Sequence, residues 1–479
     1  MKTLSFCIGL ACFAMAALLC FNVHAQPVGG MYFTIFSCVD GTNYIAGTNH
    51  SAVYGVGTYE SRRAIAQLPT ITHGTTIVTG MHCVFALSGA GEVYAWGSFN
   101  TGNRVKTTIG LPLEEQDLYV PYRIDYLPPI RQVASGGLNA IYLTTDSLVL
   151  VSGENYFGAY GNGTRVDYDN GGKPDTGAFY ADISSVVQVA AGDASCFALT
   201  SSGEVYGWGA NIFLMDTDTA KYFTTPQKIP LPAPARLMRA SYNWEEWANL
   251  FILDTGGVLY GLGENELHEL GISKHWVKQP TKLGTWTKRC LSVAPALEHT
   301  LVLLEDGTVW AAGSNKRGQL GQSDLDEHEG FIQVPGLTNI AEIAAGGYVS
   351  FARRSNGTWY AWGDNLYGEI DPSNPMQILS KPTIFTPPCT LTSVQGQSER
   401  SLPIVFPTPT NESVTVRLTT SMKGNKQVVV YNQQGLEVLR TTVEGKDVIL
   451  DVSRFSAGMY TVMILGTDGA VMRSQIVVQ

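Results

Sequence analysis

The chain has 479 residues, of which 15% are charged and 44% are hydrophobic, with 51 glycines and 22 prolines. This apolar content is enough for a large core and excludes a mainly disordered chain, while the glycines and prolines exclude long helical arrays. The 31 basic and 41 acidic residues give a net charge of −10. Because no basic stretch could neutralise a phosphate backbone, we expect no nucleic acid partner.

The first 25 residues have the pattern of a signal peptide. Lys2 precedes an apolar run at 4–21, and 23–25 form a site of the small-x-small type. We therefore predict export, with cleavage after Ala25. An uncleaved anchor is the alternative, since the apolar run is nearly long enough to span a bilayer.

Cysteine chemistry is limited once the signal peptide is removed. Five cysteines then remain, at Cys38, Cys83, Cys196, Cys290 and Cys389. An odd number leaves at least one thiol free, and five in so long a chain do not make a disulfide framework. The pairing of Cys38, Cys290 and Cys389 stays open. No cysteine or histidine spacing matches a metal site, so we expect neither a metal nor a cofactor.

A repeated unit dominates the middle of the chain. Its marker is a glycine followed two residues later by asparagine, with the asparagine displaced by one residue in the second copy. The seven marker glycines are Gly47, Gly97, Gly153, Gly209, Gly263, Gly313 and Gly363. Around them, apolar and polar residues alternate as in short β-strands, about four per unit, which is one blade of a propeller. We expect the glycine to need a positive φ or a close backbone approach, and the asparagine to bond backbone groups of the next turn.

The clearest copy is the sixth unit, with its markers in 296–303, 306–310 and 315–321. At these residues the chain resembles the regulator of chromosome condensation repeat family. The resemblance implies an all-β, seven-bladed β-propeller over residues 26–396. The nuclear role of that family, guanine-nucleotide exchange, does not fit a signal peptide and an acidic chain, so we expect no exchange partner.

Closure of the ring is predicted from two matched segments. Residues 382–394 copy the pattern of 280–293, whereas the first unit starts abruptly at Gly29. A ring has to hide the edges of its first and last strands. We therefore expect the late segment to complete blade one.

Long loops interrupt the repeat in three blades. Blade five carries an insertion at 241–249, and blades two and three carry loops at 98–130 and 154–182. Loops on a rigid scaffold often carry function, and aromatic residues dominate binding hot spots. The predicted ligand-binding residues are Tyr156, Phe157, Tyr242, Trp244 and Trp247. The alternative is that these rings pack beneath their own loops.

A second, smaller unit follows a polar linker at 397–402. Residues 403–479 lack the marker and alternate as strands, which predicts a small C-terminal β-sandwich. In 406–409, 431–435 and 450–460 this segment resembles the C-terminal sorting domain of type IX secretion cargo. The resemblance implies passage across the outer membrane by the type IX machinery and a secreted or surface-attached product. An ordinary accessory sandwich is the alternative.

Two classes of function remain. No Ser, Cys, His or carboxylate pattern indicates a catalytic site, and the calcium-like run at 167–178 has Gly171 and Ala178 where ligands belong. The preferred function is an exported module that binds an extracellular protein or polysaccharide. The alternative is an extracellular hydrolase or lyase with its site at the central channel, which would need convergent carboxylates or histidines around the axis.

Overall fold

The computed structural model describes most of the chain after the predicted signal peptide. The described residues are 26–30, 32–38, 42–58, 65–69, 71, 76–80, 82–98, 108–111, 117–166, 175–210, 222–241, 248–388, 404–406, 413–417, 426–431, 437–443, 447–456, 458–466 and 471–478. They form strands joined by turns and loops, without an α-helix. The predicted signal peptide at 1–25 and the linker at 397–402 lie outside them.

Residues 26–385 form seven antiparallel sheets of four strands, which are the blades of a propeller. The strands of blades one to four, given from the axis outward, are β1 Gln26–Gly29, β2 Phe33–Ser37, β3 Asn43–Gly47 and β4 Ala66–Gln67; β5 Thr76–Thr79, β6 Cys83–Leu87, β7 Val93–Ser98 and β8 Asp117–Arg123; β9 Ile130–Ser135, β10 Asn139–Thr144, β11 Val149–Gly153 and β12 Ala178–Tyr180; β13 Val186–Ala191, β14 Ser195–Thr200, β15 Val205–Ala210 and β16 Tyr222–Ile229.

Blades five to seven repeat the same order. Their strands are β17 Ala235–Ala240, β18 Asn249–Asp254, β19 Leu259–Glu264 and β20 Trp276–Lys282; β21 Cys290–Pro295, β22 His299–Leu304, β23 Val309–Gly313 and β24 His328–Gln333; β25 Ile340–Gly346, β26 Val349–Arg354, β27 Trp359–Asn365 and β28 Gln377–Phe385. The predicted seven-bladed propeller is confirmed.

The first strands of the blades form the inner ring, because each contacts the first strand of a neighbouring blade. Side-chain amides join some of these strands. Gln132 donates to the carbonyl of Val189 and accepts its N–H, both at 3.0 Å. Gln188 repeats the pair on Met238, again at 3.0 Å. These bonds satisfy inner-strand backbone groups that have no strand beside them.

The marker residues act as the sequence predicts. All seven marker glycines have a positive φ, from 92° at Gly209 to 125° at Gly263. A Cβ at Gly313 would lie 2.3 Å from the carbonyl oxygen of Glu298, so both of the expected reasons for glycine hold. Asn315 accepts the N–H of Leu320 at 3.0 Å and donates across its loop to the carbonyl of Asp324 at 3.1 Å.

Buried tryptophans join neighbouring blades. Trp96, Trp208 and Trp362 are fully buried, and each donates its indole N–H to a loop carbonyl of the preceding blade at 2.7 to 2.8 Å. The carbonyl that accepts from Trp362 of blade seven is that of Gln319 in the loop of blade six, and it also accepts the hydroxyl of Ser350 at 2.8 Å. The loops that follow the third strands are therefore bonded directly to the core.

The predicted closure of the ring is wrong in its assignment. Gln377–Phe385 is the outer strand of blade seven and pairs with β27, while Gln26–Gly29 supplies the inner strand of blade one and pairs with β2. The match between 280–283 and 382–385 was therefore a match between outer strands. Phe385 still reaches blade one, where its ring stacks on Phe36 with centroids 5.3 Å apart. Residues 389–394 lie outside the described residues.

The described C-terminal residues form two packed sheets, as expected for the predicted β-sandwich. Their strands are β29 Ile404–Phe406, β30 Ser413–Arg417, β31 Lys426–Tyr431, β32 Glu437–Val443, β33 Asp447–Asp451, β34 Gly458–Gly466 and β35 Val471–Val478. One sheet has the order β29-β30-β33 and the other β32-β31-β34-β35. Val428, Val462 and Ile464 of the second sheet share a buried cluster with Leu450 of the first.

Candidate functional site: the loop face of the propeller

The two ends of the ring differ in the length of their connections. At one end the second and third strands of each blade are joined by only four or five residues. At the other end the first strand passes to the second and the third to the fourth, and these connections include the long loops of blades two and three. We call this end the loop face. Because antiparallel neighbours alternate in direction, all the predicted insertions begin here. The predicted loops 98–130 and 154–182 were drawn too long, since they include the fourth strands β8 and β12 and end at the opposite end of the ring.

The five predicted binding residues separate into two groups. Tyr242, Trp244 and Trp247 lie outside the described residues, so their role stays a prediction. Tyr156 and Phe157 are half-buried on the loop face, with ring centroids 4.9 Å apart. Phe157 packs against the small buried cluster that includes Leu138 and Ala194. Phe157 thus fits the alternative of packing under its loop.

Tyr156 has a charged neighbour. The guanidinium of Arg165 lies 5.5 Å from the ring centroid of Tyr156 and 4.7 Å from that of Tyr222, which begins the outer strand of blade four. A cation over a ring is attracted by about 0.5–1 kcal/mol at an exposed site. This contact ties the loop of blade three to blade four.

A second group of aromatic residues was not predicted. It consists of Tyr32, Arg317, Tyr348, Asp364 and Tyr367, and we call it the tyrosine–arginine cluster. The ring centroid of Tyr32 lies 5.3 Å from that of Tyr367, edge to face, and 6.2 Å from that of Tyr348. Tyr348 is buried and Tyr32 half-buried, whereas Tyr367 is 45% exposed. The cluster therefore presents one ring to solvent on a packed base.

Arg317 is fixed on two sides within this cluster. Its Nη1 donates to Oδ2 of Asp364 at 2.8 Å, and its guanidinium lies 5.4 Å from the ring centroid of Tyr348. The other carboxylate oxygen of Asp364 accepts the N–H of Leu366 at 2.9 Å. The hydroxyl of Tyr348 donates to Glu298 at 3.3 Å. Blades six and seven thus hold the arginine in one place.

Burial governs the protonation of the cluster. It raises the pKa of Tyr32, and Tyr367 adds to the increase while Arg317 opposes it. The phenol of Tyr32 therefore remains a hydrogen-bond donor at neutral pH. Burial also raises the pKa of Asp364, against the N–H of Leu366 and the charge of Arg317. Acidification consequently protonates Asp364 at a higher pH than an exposed aspartate and weakens its hold on Arg317.

Buried carboxyl groups support the loops below the face. Glu369 accepts the N–H of Tyr367 at 2.9 Å and so fixes the turn that carries this ring. In blade six Gln319 has the same place and accepts the N–H of Arg317 at 2.8 Å. Burial raises the pKa of Glu369 to about 8, and it does the same at the equivalent Glu269 in blade five. Both carboxyls are thus largely protonated at neutral pH.

Part of this cluster had a signal in the repeat. Arg317 and Tyr367 each stand two residues after a marker asparagine, the place of Phe157 in blade three. Tyr32 and Tyr348 each stand directly before a second strand. Aligning the copies would therefore have placed all four on the loop face. Their contact depends on blade one lying beside blade seven, which the copies alone do not state.

Other kinds of site find little support in the part of the chain that the structure describes. There, no three His, Cys, Asp or Glu side chains are grouped so as to hold a metal ion. His299 is buried, which lowers its pKa to about 3, and its Nε2 lies 2.7 Å from the hydroxyl of Ser350. Since that hydroxyl donates to a carbonyl, the imidazole is neutral and donates from Nε2. Among the described residues, no helix is long and apolar enough to cross a membrane.

Two family models match the chain. The regulator of chromosome condensation (RCC1) repeat matches residues 186–213 and 297–319, which are strands of blades four and six with their marker loops. The secretion system C-terminal sorting domain matches residues 404–479. Blades four and six therefore contain RCC1 repeats, and a sorting domain follows the propeller. This domain indicates type IX secretion, with its machinery as a partner and a secreted or cell-surface product, while cleavage after Ala25 stays a prediction.

The proteins that this chain resembles in sequence have diverse names. The ultraviolet-B receptor UVR8 of Arabidopsis thaliana is 30% identical over 197 residues, which are 40% of this chain and 43% of the receptor. The human E3 ubiquitin-protein ligase HERC2 is 26% identical over 304 residues, or 61% of this chain and 6% of the ligase. The regulator of chromosome condensation of Xenopus laevis is 23% identical, covering 71% of each chain. This chain thus spans less than half of the receptor and a small part of the ligase.

Solved structures agree on the fold. Yeast RCC1 (Prp20), from its complex with Kap60, superposes with a TM-score of 0.60 at 18% identity, covering 81% of this chain and 92% of that one. Human WBSCR16 gives 0.58 at 18% identity, covering 72% and 95%. At such identities the likeness concerns the propeller alone.

Proposed function

We propose that this protein is an exported binding module that holds an extracellular protein or polysaccharide on its loop face and catalyses no reaction. In this proposal the propeller at 26–396 binds, and residues 403–479 serve only delivery. The proposal is supported chiefly by the tyrosine–arginine cluster, where residues of three blades present an exposed ring and a fixed arginine on one face. Aromatic and arginine side chains are the residue types enriched at binding hot spots.

Rigidity of the scaffold favours the same function. The loops of the face are bonded to buried tryptophans and to marker asparagines, so their rings need little ordering when a partner binds. Less ordering means that more of the contact energy appears as affinity. A propeller enzyme would instead need convergent acid and base groups, and no observation in the described residues favours that alternative.

The test compares two tyrosines that are both exposed. Tyr367→Ala changes the loop face, whereas Tyr180→Ala changes the outer strand of blade three, where the side chain is 54% exposed. Polysaccharide and protein fractions from the culture medium of the host would be passed over each immobilised protein. Binding that is lost in Tyr367→Ala and kept in Tyr180→Ala supports the proposal. Equal binding by both variants and the wild type contradicts it.

A further inference from the structure

We infer that the tyrosine–arginine cluster is a site for a neutral hexose unit of an extracellular polysaccharide. This inference rests on the proposed function and narrows its ligand to one chemical class. It follows from three properties of the cluster: a fixed exposed ring, polar groups left for a ligand, and an arginine charge that is compensated within the site.

The ring that a sugar would cover is that of Tyr367. It is 45% exposed, and Tyr32 supports its position edge to face at 5.3 Å. The bond from its own N–H to Glu369 fixes the backbone below it. One side of a pyranose ring carries mainly C–H groups, which pack well on an aromatic face. A ring that is already immobile loses little entropy in such a contact.

Polar groups for sugar hydroxyls surround this ring. Arg317 uses one N–H on Asp364, and its side chain remains 35% exposed. A guanidinium has five N–H donors, so most of them remain for a ligand. In the part of the chain that the structure describes, the hydroxyls of Tyr32 and Tyr367 have no hydrogen-bond partner in the protein. A hexose hydroxyl can accept from the arginine and exchange hydrogen bonds with the phenols.

The charges of the cluster favour a neutral ligand. Asp364 compensates Arg317 at 2.8 Å, and Glu298 adds a further carboxyl through the hydroxyl of Tyr348. An acidic sugar or a phosphate would therefore meet no net positive charge, and the whole chain carries −10. A cationic ligand would find Arg317 already over the face of Tyr348 and already paired with Asp364. A neutral sugar has neither difficulty.

The test uses the full mature chain on an array of neutral hexose oligosaccharides, with uronate-containing and sulfated oligosaccharides on the same array. The best neutral binder is then titrated by calorimetry. Tyr367→Ala should weaken its binding about tenfold or more, equivalent to about 1.4 kcal/mol. Tyr367→Phe keeps the ring and loses one hydroxyl, so it should bind more weakly than the wild type but more tightly than Tyr367→Ala. Arg317→Lys should also weaken binding, because an ammonium cannot hold Asp364 and keep a planar set of donors.

The thermal midpoint of each variant and the affinity of Tyr180→Ala, on the outer strand of blade three, provide the controls. The two Tyr367 variants should keep the thermal midpoint of the wild type, and Tyr180→Ala should keep its affinity. Arg317→Lys should lower the midpoint, because Asp364 is buried and loses its partner, so its affinity is measured well below that midpoint. Binding to charged oligosaccharides alone, binding to none, or binding unaffected by Tyr367→Ala would each overturn the sugar assignment. If Tyr367→Ala instead abolishes binding of a medium protein, the sugar is wrong and the proposed function stands. If no ligand depends on the loop face, both are wrong.

Discussion

Replacing Glu369 by Gln should change how the stability of the propeller depends on pH. Glu369 is buried, and its pKa is raised from 4.5 to about 8. Between these values the folded state holds a proton that the unfolded state has lost, so the free energy of unfolding falls as pH rises. At about 1.4 kcal/mol per pH unit, this carboxyl removes roughly 5 kcal/mol of stability between pH 4.5 and 8. Glutamine does not titrate in this pH range, so the variant lacks this contribution to the pH dependence of stability.

The local geometry tolerates this change. Gln319 occupies the same place in blade six, where its oxygen accepts the N–H of Arg317 at 2.8 Å. The Nε2 of Gln319 is buried without a partner among the described residues, and such an orphan costs about 1–3 kcal/mol. Glu369→Gln should therefore be as stable as the wild type or less stable at pH 5, and more stable at pH 8. The difference between the two proteins should shift by roughly 3 kcal/mol from pH 5 to 7.5.

Urea unfolding at pH 5, 6, 7 and 8 measures this shift in the intact chain. All nine tryptophans lie between 96 and 362, so their fluorescence follows the propeller and not the sorting domain. Glu269→Gln, at the equivalent buried place of blade five, should behave alike. Glu266→Gln, at an exposed neighbouring position, is the control and should follow the wild type. If the difference between Glu369→Gln and the wild type is the same at all four pH values, the buried carboxyl is not protonated as argued.

Three further outcomes are expected. Deleting 403–479 should leave a folded propeller that stays in the periplasm, and normal surface delivery would show that this domain is not the signal. Replacing both Trp244 and Trp247 by Ala should weaken ligand binding and leave the thermal midpoint almost unchanged, whereas a large drop would mean that they pack in the core. Cys83, Cys196 and Cys290 are free and buried, while Cys38 is disulfide-bonded to a partner outside the described residues. Since Cys389 is the one other cysteine after the predicted cleavage site, peptide mapping without reduction should recover Cys38 joined to Cys389, and a Cys38 peptide free of any link would contradict this.

The fold was predictable where its signals are local. The positive φ of a marker glycine such as Gly313 and the hydrogen bond of Asn315 both arise within a single blade. Each copy of the repeat can therefore be recognised from its own sequence. Closure was not local, because two segments fitted one edge of blade one. In the structure Pro27 stands opposite Phe36 on that edge, at the place that Val133 holds in blade three. Because this short strand has a proline where the inner strand of blade three has valine, its sequence does not identify it as the inner strand of blade one.

The candidate site was predictable only in part, for a related reason. Tyr156 and Phe157 stood out as large rings in one long loop, yet Phe157 turned out to pack on Leu138 and Ala194. Arg317 and Tyr367 sit in short loops without any insertion, and Tyr32 is more than 280 positions away in the sequence. A site formed within a single loop, such as the pair Tyr156 and Phe157, can be found from the composition of that loop. A site formed by residues of several blades, such as the tyrosine–arginine cluster, is found only once the ring has brought blade one beside blade seven.

The repeat itself limits where this propeller can be specific. Marker glycines are fixed by the fold because a Cβ there would meet a backbone carbonyl. Marker asparagines and interblade tryptophans are fixed because they bond backbone groups of the loops. The residue two places after the marker asparagine is not fixed in this way. In the described loops it is Ser51, Phe157, Leu267, Arg317 or Tyr367. Five different side chains on one face, each carried by the same bonded turn, let neighbouring blades combine into a site without disturbing the ring. In the proposed function, specificity would therefore reside in the pairing of adjacent blades, and blades six, seven and one provide the combination with an exposed ring beside a fixed donor.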